Sequence, residues 1–235
     1  MEKIKSKMLR DYKVLYKHYE NCFDKYGDNH KGVDWPDRKQ AQDRYKIMLD
    51  VIKNKNKETS VLDFGCGLSH LYEYIQSEKI GNIVYTGCDI SEKFIQVSKN
   101  KYPQNNYFIV DMMNDNLPQR YDYIICNGVF TEKRELSHTQ MSDFYQKMIK
   151  NLFEYVNVGL AFNVMSKQVD WERDDLFHLS LDELAWFLHK NNMRNFIIRN
   201  DYGLYEYTIY IYIYIAIVYF TAKYLIITKH NIGGL

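Results

Sequence analysis

The segment Val61-Leu62-Asp63-Phe64-Gly65-Cys66-Gly67 decides how the rest of the chain is read. Apolar residues and an acid end a strand, and two glycines follow at once. A carboxylate there marks the carboxyl edge of a sheet. The glycines let the backbone turn tightly and come close to a ligand. A helix that starts near Ser69 aims its first free N–H groups into the same crevice. Strand, glycine turn and helix in that order predict the first unit of a doubly wound sheet.

Downstream, strands and helices alternate. Strands are expected at 60–64, 83–89, 107–110, 121–126 and 159–165, with helices at 69–78, 91–101, 139–155 and 181–191. This alternation predicts an α/β fold with a mostly parallel sheet. Ser180 and Glu183 form a capping-box pair for the last helix. Strands at 195–199 and 205–213 flank Asp201-Tyr202-Gly203, a hairpin spacing. The expected architecture is a doubly wound, seven-stranded, Rossmann-like sheet ending in an antiparallel hairpin.

Upstream, residues 3–26 and 37–53 carry apolar side chains at helical spacing, among them Tyr12, Leu15, Tyr16, Tyr19, Tyr45, Met48 and Leu49. They read as an N-terminal helical cap over 1–56, with the tyrosines on its core face. The main domain is expected over 57–215, with an apolar low-complexity tail over 216–235. From Tyr207 to Ile215 tyrosine and isoleucine nearly alternate, which fits a last strand with an extension. The apolar run before Lys223 is shorter than the roughly 20 residues that span a bilayer.

Composition excludes several classes. The 235 residues carry 31 basic and 30 acidic side chains, a net charge of +1. No global field draws such a chain to phosphate backbones, so a nucleic-acid substrate is not expected. Cys22, Cys66, Cys88 and Cys126 form no C-x-x-C pair, and no paired metal-ligand motif is present. No bound metal is expected. The start of the chain is charged and lacks a signal-peptide core, so a cytoplasmic protein is expected.

An acid, two glycines and this spacing after an apolar strand resemble the first motif of class I S-adenosylmethionine-dependent methyltransferases. The resemblance covers about residues 59–213, with its specific motifs in 61–128. It implies S-adenosylmethionine as cofactor and S-adenosylhomocysteine as product. Asp63, Phe64, Gly65 and Gly67 match the turn beside the cofactor's amino-acid part; Ser69 stands where a third glycine is common. Asp89, with Ile90, matches the acid that accepts both ribose hydroxyl protons. Asp111 and Met112 match the pair that reads the adenine edge. Asn127 and Gly128 match the wall of the methionine portion. The cap and the loop at 166–178 resemble those of small stand-alone bacterial methyltransferases. Enzymes of this fold that methylate nucleobase amines often carry Asp/Asn-Pro-Pro-Tyr/Phe after the fourth strand; here Asn127-Gly128-Val129-Phe130 has no proline.

Two other classes compete. A nicotinamide-dependent oxidoreductase wants G-x-G-x-x-G, but His70 occupies its third glycine place. A non-catalytic module that keeps the cofactor site is the other. On the methyltransferase reading, loops after the fourth and fifth strands meet a small polar acceptor, with oxygen favoured and a sugar one option. Glu132 and His178 are candidate bases there, and Asp170 is a candidate for orienting a hydroxyl. Trp35, His138 and Trp171 are candidate acceptor contacts.

Overall fold

The computed structural model describes residues 12–213. The readings for residues before Tyr12, and for the tail beyond Ile213, lie outside them. The chain opens with helix α1 (Lys13–Tyr26), a short 3-10 turn (His30–Val33) and helix α2 (Arg38–Leu49). Then come β1 (Thr59–Phe64), α3 (His70–Ser77), β2 (Ile83–Asp89), α4 (Glu92–Lys101), β3 (Asn106–Ile109) and β4 (Tyr121–Cys126). Helix α5 (His138–Phe153), β5 (Val156–Ser166), β6 (His178–Leu179), α6 (Leu181–Lys190), β7 (Phe196–Arg199) and β8 (Glu206–Tyr212) complete it.

One sheet runs in the order β3-β2-β1-β4-β5-β8-β7, with β6 paired beside β5. Every pairing is parallel except those of β8, which lies antiparallel to both β5 and β7. The sheet is therefore the expected mostly parallel one with an antiparallel pair. The last strand inserts between β5 and β7, and β6 is an extra pairing of two residues that no periodicity marks.

Strand alternation divides the core into two layers. On β4, Ile124 and Cys126 join one apolar cluster with α5, while Tyr123 and Ile125 join the other with α2 and α3. On β8 the same alternation explains the Tyr-Ile pattern. Ile209 and Ile211 pack on the α5 side, and Tyr210 and Tyr212 face α2. There the Tyr210 hydroxyl donates to the Ile47 carbonyl, and that of Tyr212 to the Val51 carbonyl at 3.1 Å. The Ile47 carbonyl also accepts from the Asp50 N–H at 3.1 Å, so the two phenols tie β8 to the end of α2 and the residues just after it while meeting their own donors inside the core.

Caps set the helix starts. Ser180 and Glu183 form the expected capping box, and Ser137 with Gln140 forms a second one at α5. Arg44 of α2 reaches Glu206 of β8 with contacts at 2.7, 2.9 and 3.0 Å, both side chains buried. Helix α2 thus packs into the sheet's own core, while α1 lies over the carboxyl ends of the strands.

Candidate active site

The carboxyl ends of β1 to β4 open on a crevice roofed by α1. All ten residues matched to the cofactor line it: Asp63, Phe64, Gly65, Gly67, Asp89, Ile90, Asp111, Met112, Asn127 and Gly128. The glycine turn is held by Gly65 and Cys66, whose N–H groups both donate to the Cys88 carbonyl at 2.9 Å. Gly65 sits at φ +74°, and a Cβ there would come within 2.7 Å of Val129. Gly128 sits at φ +78°, and a Cβ would meet the Trp35 ring at 2.9 Å. Both turns require glycine for backbone conformation and for close approach. Ser69, at φ +60°, also occupies the left-handed region.

The acids differ in what holds them. Burial pushes Asp63 up to about 7, against the hydrogen bond it accepts from Tyr85 at 2.7 Å. Burial likewise raises Asp89 to about 6, although it accepts from the backbone N–H of Ser91 at 2.8 Å and of Gly67 at 3.0 Å. Asp111 accepts from the Tyr12 hydroxyl at 2.5 Å and from Asn114 at 2.7 Å. Buried carboxyls with few donors favour a cationic or hydroxyl-rich ligand, which would restore their charge. The Asn127 side-chain oxygen is buried without a partner among the described residues. Three acids on consecutive strand ends, a glycine cradle and an unmet acceptor suit a ligand with an ammonium, a ribose and an adenine.

Helix α1 ties the roof to these ends. Besides Tyr12, the Tyr19 hydroxyl donates to the Gly128 carbonyl at 3.1 Å, and Glu20 accepts from Ser91 beside Asp89. Tyr12, Tyr16 and Tyr19 line the crevice, which corrects their placement on the core face alone; Tyr12 is also buried in the core. Their 12, 16, 19 spacing, in a helix just before β1, is the signal that marks them. Trp35 lines the crevice too, with the Arg44 guanidinium 4.2 Å from its ring centre.

The remaining candidates lie elsewhere. Glu132 is buried and bonded by Arg134 at 3.0 Å; burial raises its carboxyl, against the Arg134 charge. Both nitrogens of His178 are engaged, Nδ1 with the Ser166 carbonyl at 2.6 Å and Nε2 with the Arg173 N–H at 3.2 Å. His138 bonds the His178 carbonyl at 3.0 Å. Asp170 and Trp171 are exposed, Trp171 at 71%. None of these five lines the crevice. The cause is that the loops after β4 and β5 fold onto each other: Glu132 bridges to Leu176, and Phe177 N–H donates to the Thr131 carbonyl at 2.8 Å.

His18, Cys22 and Asp34 also bring possible metal-ligand atoms within 4.8 Å of one another. Arg134 donates to His18 Nδ1 at 2.8 Å, so the His18 proton lies on Nε2, facing Asp34 at 2.6 Å. That imidazole has no lone pair left for a cation.

Fold and site together define a class I, Rossmann-like methyltransferase. The sequence matches a family model described as a methyltransferase domain over residues 55–172, half of the chain, and the chain belongs to that family. A Mycobacterium tuberculosis protein named as a methyltransferase is 25% identical over 162 residues, 67% of this chain and 95% of that protein. An invertebrate iridescent virus 6 protein, also named as a methyltransferase, is 27% identical over 130 residues, 52% of this chain. The chain matches 48% of that viral protein's length. A solved plantazolicin methyltransferase, bound to a desmethylPZN analogue and SAH, superposes with a TM-score of 0.58 at 17% identity, covering 90% of this chain and 98% of that one. A Leishmania major SAM-dependent methyltransferase gives 0.60 at 13% identity, covering 84% and 82%. These likenesses show the fold. Among the described residues, no helix is long and apolar enough to cross a membrane.

Proposed function

We propose that this chain transfers a methyl group from S-adenosylmethionine to an oxygen of a small polar molecule. The observation that carries this reading is the meeting of Asp63, Asp89 and Asp111, from three different strand ends, with one glycine turn in a single crevice. When bound, the cofactor supplies an electrophilic methyl carbon on a sulfonium. Asp63 serves its ammonium, and Asp89 accepts from both ribose hydroxyls, which only a carboxylate does. Asp111 and the Met112 N–H meet the adenine edge once Tyr12 gives way. Gly65 and Gly67 keep the backbone close, and Asn127 and Gly128 wall the methionine portion.

A small acceptor suits a crevice roofed by α1 better than a polymer does, and the near-zero net charge agrees. Of the two tryptophans that favour a sugar, Trp35 stands at the crevice and Trp171 does not, so the acceptor is better described as a small hydroxylated molecule. Four free cysteines fit the cytoplasm as its compartment.

Titration with S-adenosylmethionine and S-adenosylhomocysteine tests the cofactor role. Asp89→Ala should weaken both by at least about tenfold, or about 1.4 kcal/mol. Folded protein that binds neither would overturn the assignment, and selective stabilisation by NAD would point to the oxidoreductase instead.

A further inference from the structure

A methyl acceptor with a hydroxyl group must lose a proton, and the crevice offers few groups able to take one. Asp63, Asp89 and Asp111 already accept hydrogen bonds and belong to the cofactor's edge. Burial raises the Tyr12, Tyr19 and Tyr45 phenols, which keeps them protonated and so unable to take a proton. His70 is the one imidazole on the lining.

His70 is also set up for the task. Its Nε2 lies 2.8 Å from Asp28 Oδ1, and a carboxylate only accepts, so the Nε2 carries the proton. That leaves the Nδ1 lone pair bare, and Nδ1 makes no hydrogen bond among the described residues. Asp28 is held in turn by Lys101 at 2.7 Å. Burial pushes the Asp28 carboxyl up, but the bonds from His70 and Lys101 hold it below the usual range. An oriented imidazole with a carboxylate behind it is the arrangement of a general base.

The second observation is where His70 stands. A further open chamber adjoins the crevice, and His70 and Tyr45 line both. The chamber is lined by exposed Arg38, which has no ion pair among the described residues, by His30, the amides of Asn29 and Gln42 and the ring of Tyr74; its two carboxylates, Asp28 and Glu73, both face Lys101. It is a second room that shares His70 and Tyr45 with the crevice and offers a cation and an aromatic wall.

We propose that His70, oriented by Asp28, is the general base of the transfer, and that the acceptor is a hydroxylated aromatic acid bound in the adjoining chamber. This rests on the methyltransferase reading above. The acid's carboxylate pairs with Arg38 and its ring lies along Tyr45 and Tyr74. Its hydroxyl proton passes to Nδ1 of His70. The oxygen bonds the methyl carbon as the carbon–sulfur bond breaks, its electron pair staying on sulfur. The imidazolium formed faces the Asp28 carboxylate. His70 is the catalytic residue and Asp28 a positioning residue.

The test uses the full chain with nitrogen-15 histidine. In its complex with S-adenosylhomocysteine, long-range proton–nitrogen spectra should show His70 as a single Nε2–H tautomer, which Asp28→Ala scrambles. Salicylate, 3-hydroxybenzoate and 4-hydroxybenzoate are then titrated in. At least one should bind and shift the Nδ1 resonance, and Arg38→Ala should weaken it by about tenfold or more. With S-adenosylmethionine that acid should be methylated. His70→Gln, whose amide keeps a donor for Asp28, should cut kcat by about 100-fold or more while leaving Tm and S-adenosylhomocysteine affinity unchanged.

Binding of none of the three acids overturns the proposal. So does His70→Gln with kcat within a few-fold of the parent, or His70 protonated on Nδ1. A His70→Gln chain that loses cofactor affinity but keeps kcat makes His70 a cofactor anchor, which also overturns it. Failure of the parent to bind S-adenosylhomocysteine would appear before any acid is added, and would sink the cofactor reading first.

Discussion

Asp63 and Asp89 carry unfavourable burial in the absence of a ligand, and this has a sign that solution work can check. Their folded-state values lie near 7 and 6, against an ordinary value of 3.8. A raised carboxyl contributes stability below its unfolded value and loses it as pH climbs through the folded one, because the unfolded chain gives up its protons first. The ligand-free protein should therefore lose stability between about pH 4 and pH 7 on account of these groups. Binding a cationic ligand reverses the preference and expels protons. S-adenosylmethionine affinity should rise from pH 6 to pH 8, with proton release visible by calorimetry in buffers of different ionisation heat. Flat affinity across that range would remove Asp63 and Asp89 from the ligand contacts. At Gly128, an added methyl would press on the Trp35 ring at a positive φ. Gly128→Ala should cost about 1–3 kcal/mol, read by urea denaturation, and should change Trp35 fluorescence.

Elements add a constraint that no single residue carries. Helix α2 and strand β8 are joined by Arg44 and Glu206, 162 positions apart and both buried. The same carboxylate accepts from Asn163 at 2.9 Å, and Asn163 accepts from the Gly128 N–H at 2.8 Å. Arg44 in turn lies on Trp35, so the network sits directly behind the crevice wall. Removing one partner of a buried pair strands the other charge. Glu206→Ala should cost about 3–5 kcal/mol in denaturant titration, and adding Arg44→Met should recover more than half of it. No recovery would mean that Glu206 matters through Asn163 and not through the ion pair. Helix α1 is the second such element, since its tyrosines and Glu20 touch the ends of β2, β3 and β4. Tyr12→Phe frees the Asp111 carboxylate from its bond to the roof. It should tighten S-adenosylhomocysteine binding, and weaker binding would show that Tyr12 helps hold the adenine edge.

For the whole molecule, the sheet order places the glycine turn beside the points where neighbouring connections leave in opposite directions. β1 lies between β2 and β4, and the crevice opens outside their carboxyl ends. Ligand binding there should couple to global stability. At a hundredfold excess over Kd, S-adenosylhomocysteine should add about 2.7 kcal/mol, seen as a raised Tm that Asp89→Ala abolishes. An unchanged Tm at saturating ligand would contradict a native-state site.

The class of fold and the strand-end wall of the candidate crevice were legible in the linear chain because both depend on local order. Alternating strands and helices dictate a parallel sheet. Parallel strands that carry Asp63, Asp89, Asp111 and Asn127 at or just past their ends must bring those residues to the same sheet edge, whatever the loops do. The Tyr-Ile alternation of β8 was legible for the same reason, since period two assigns the faces. The placement of the loop residues was not. Glu132, His178, Asp170, His138 and Trp171 sit in loops after β4 and β5, where composition alone pointed to chemistry. Only tertiary packing decided that these loops bond to each other and stand away from the crevice. It also decided that α1 roofs the site, that Arg44 meets Glu206, and that Asp28 meets His70 across 42 positions. Period and strand ends follow from the backbone's own geometry, whereas which distant side chains share a wall follows from how the packed layers close on one another.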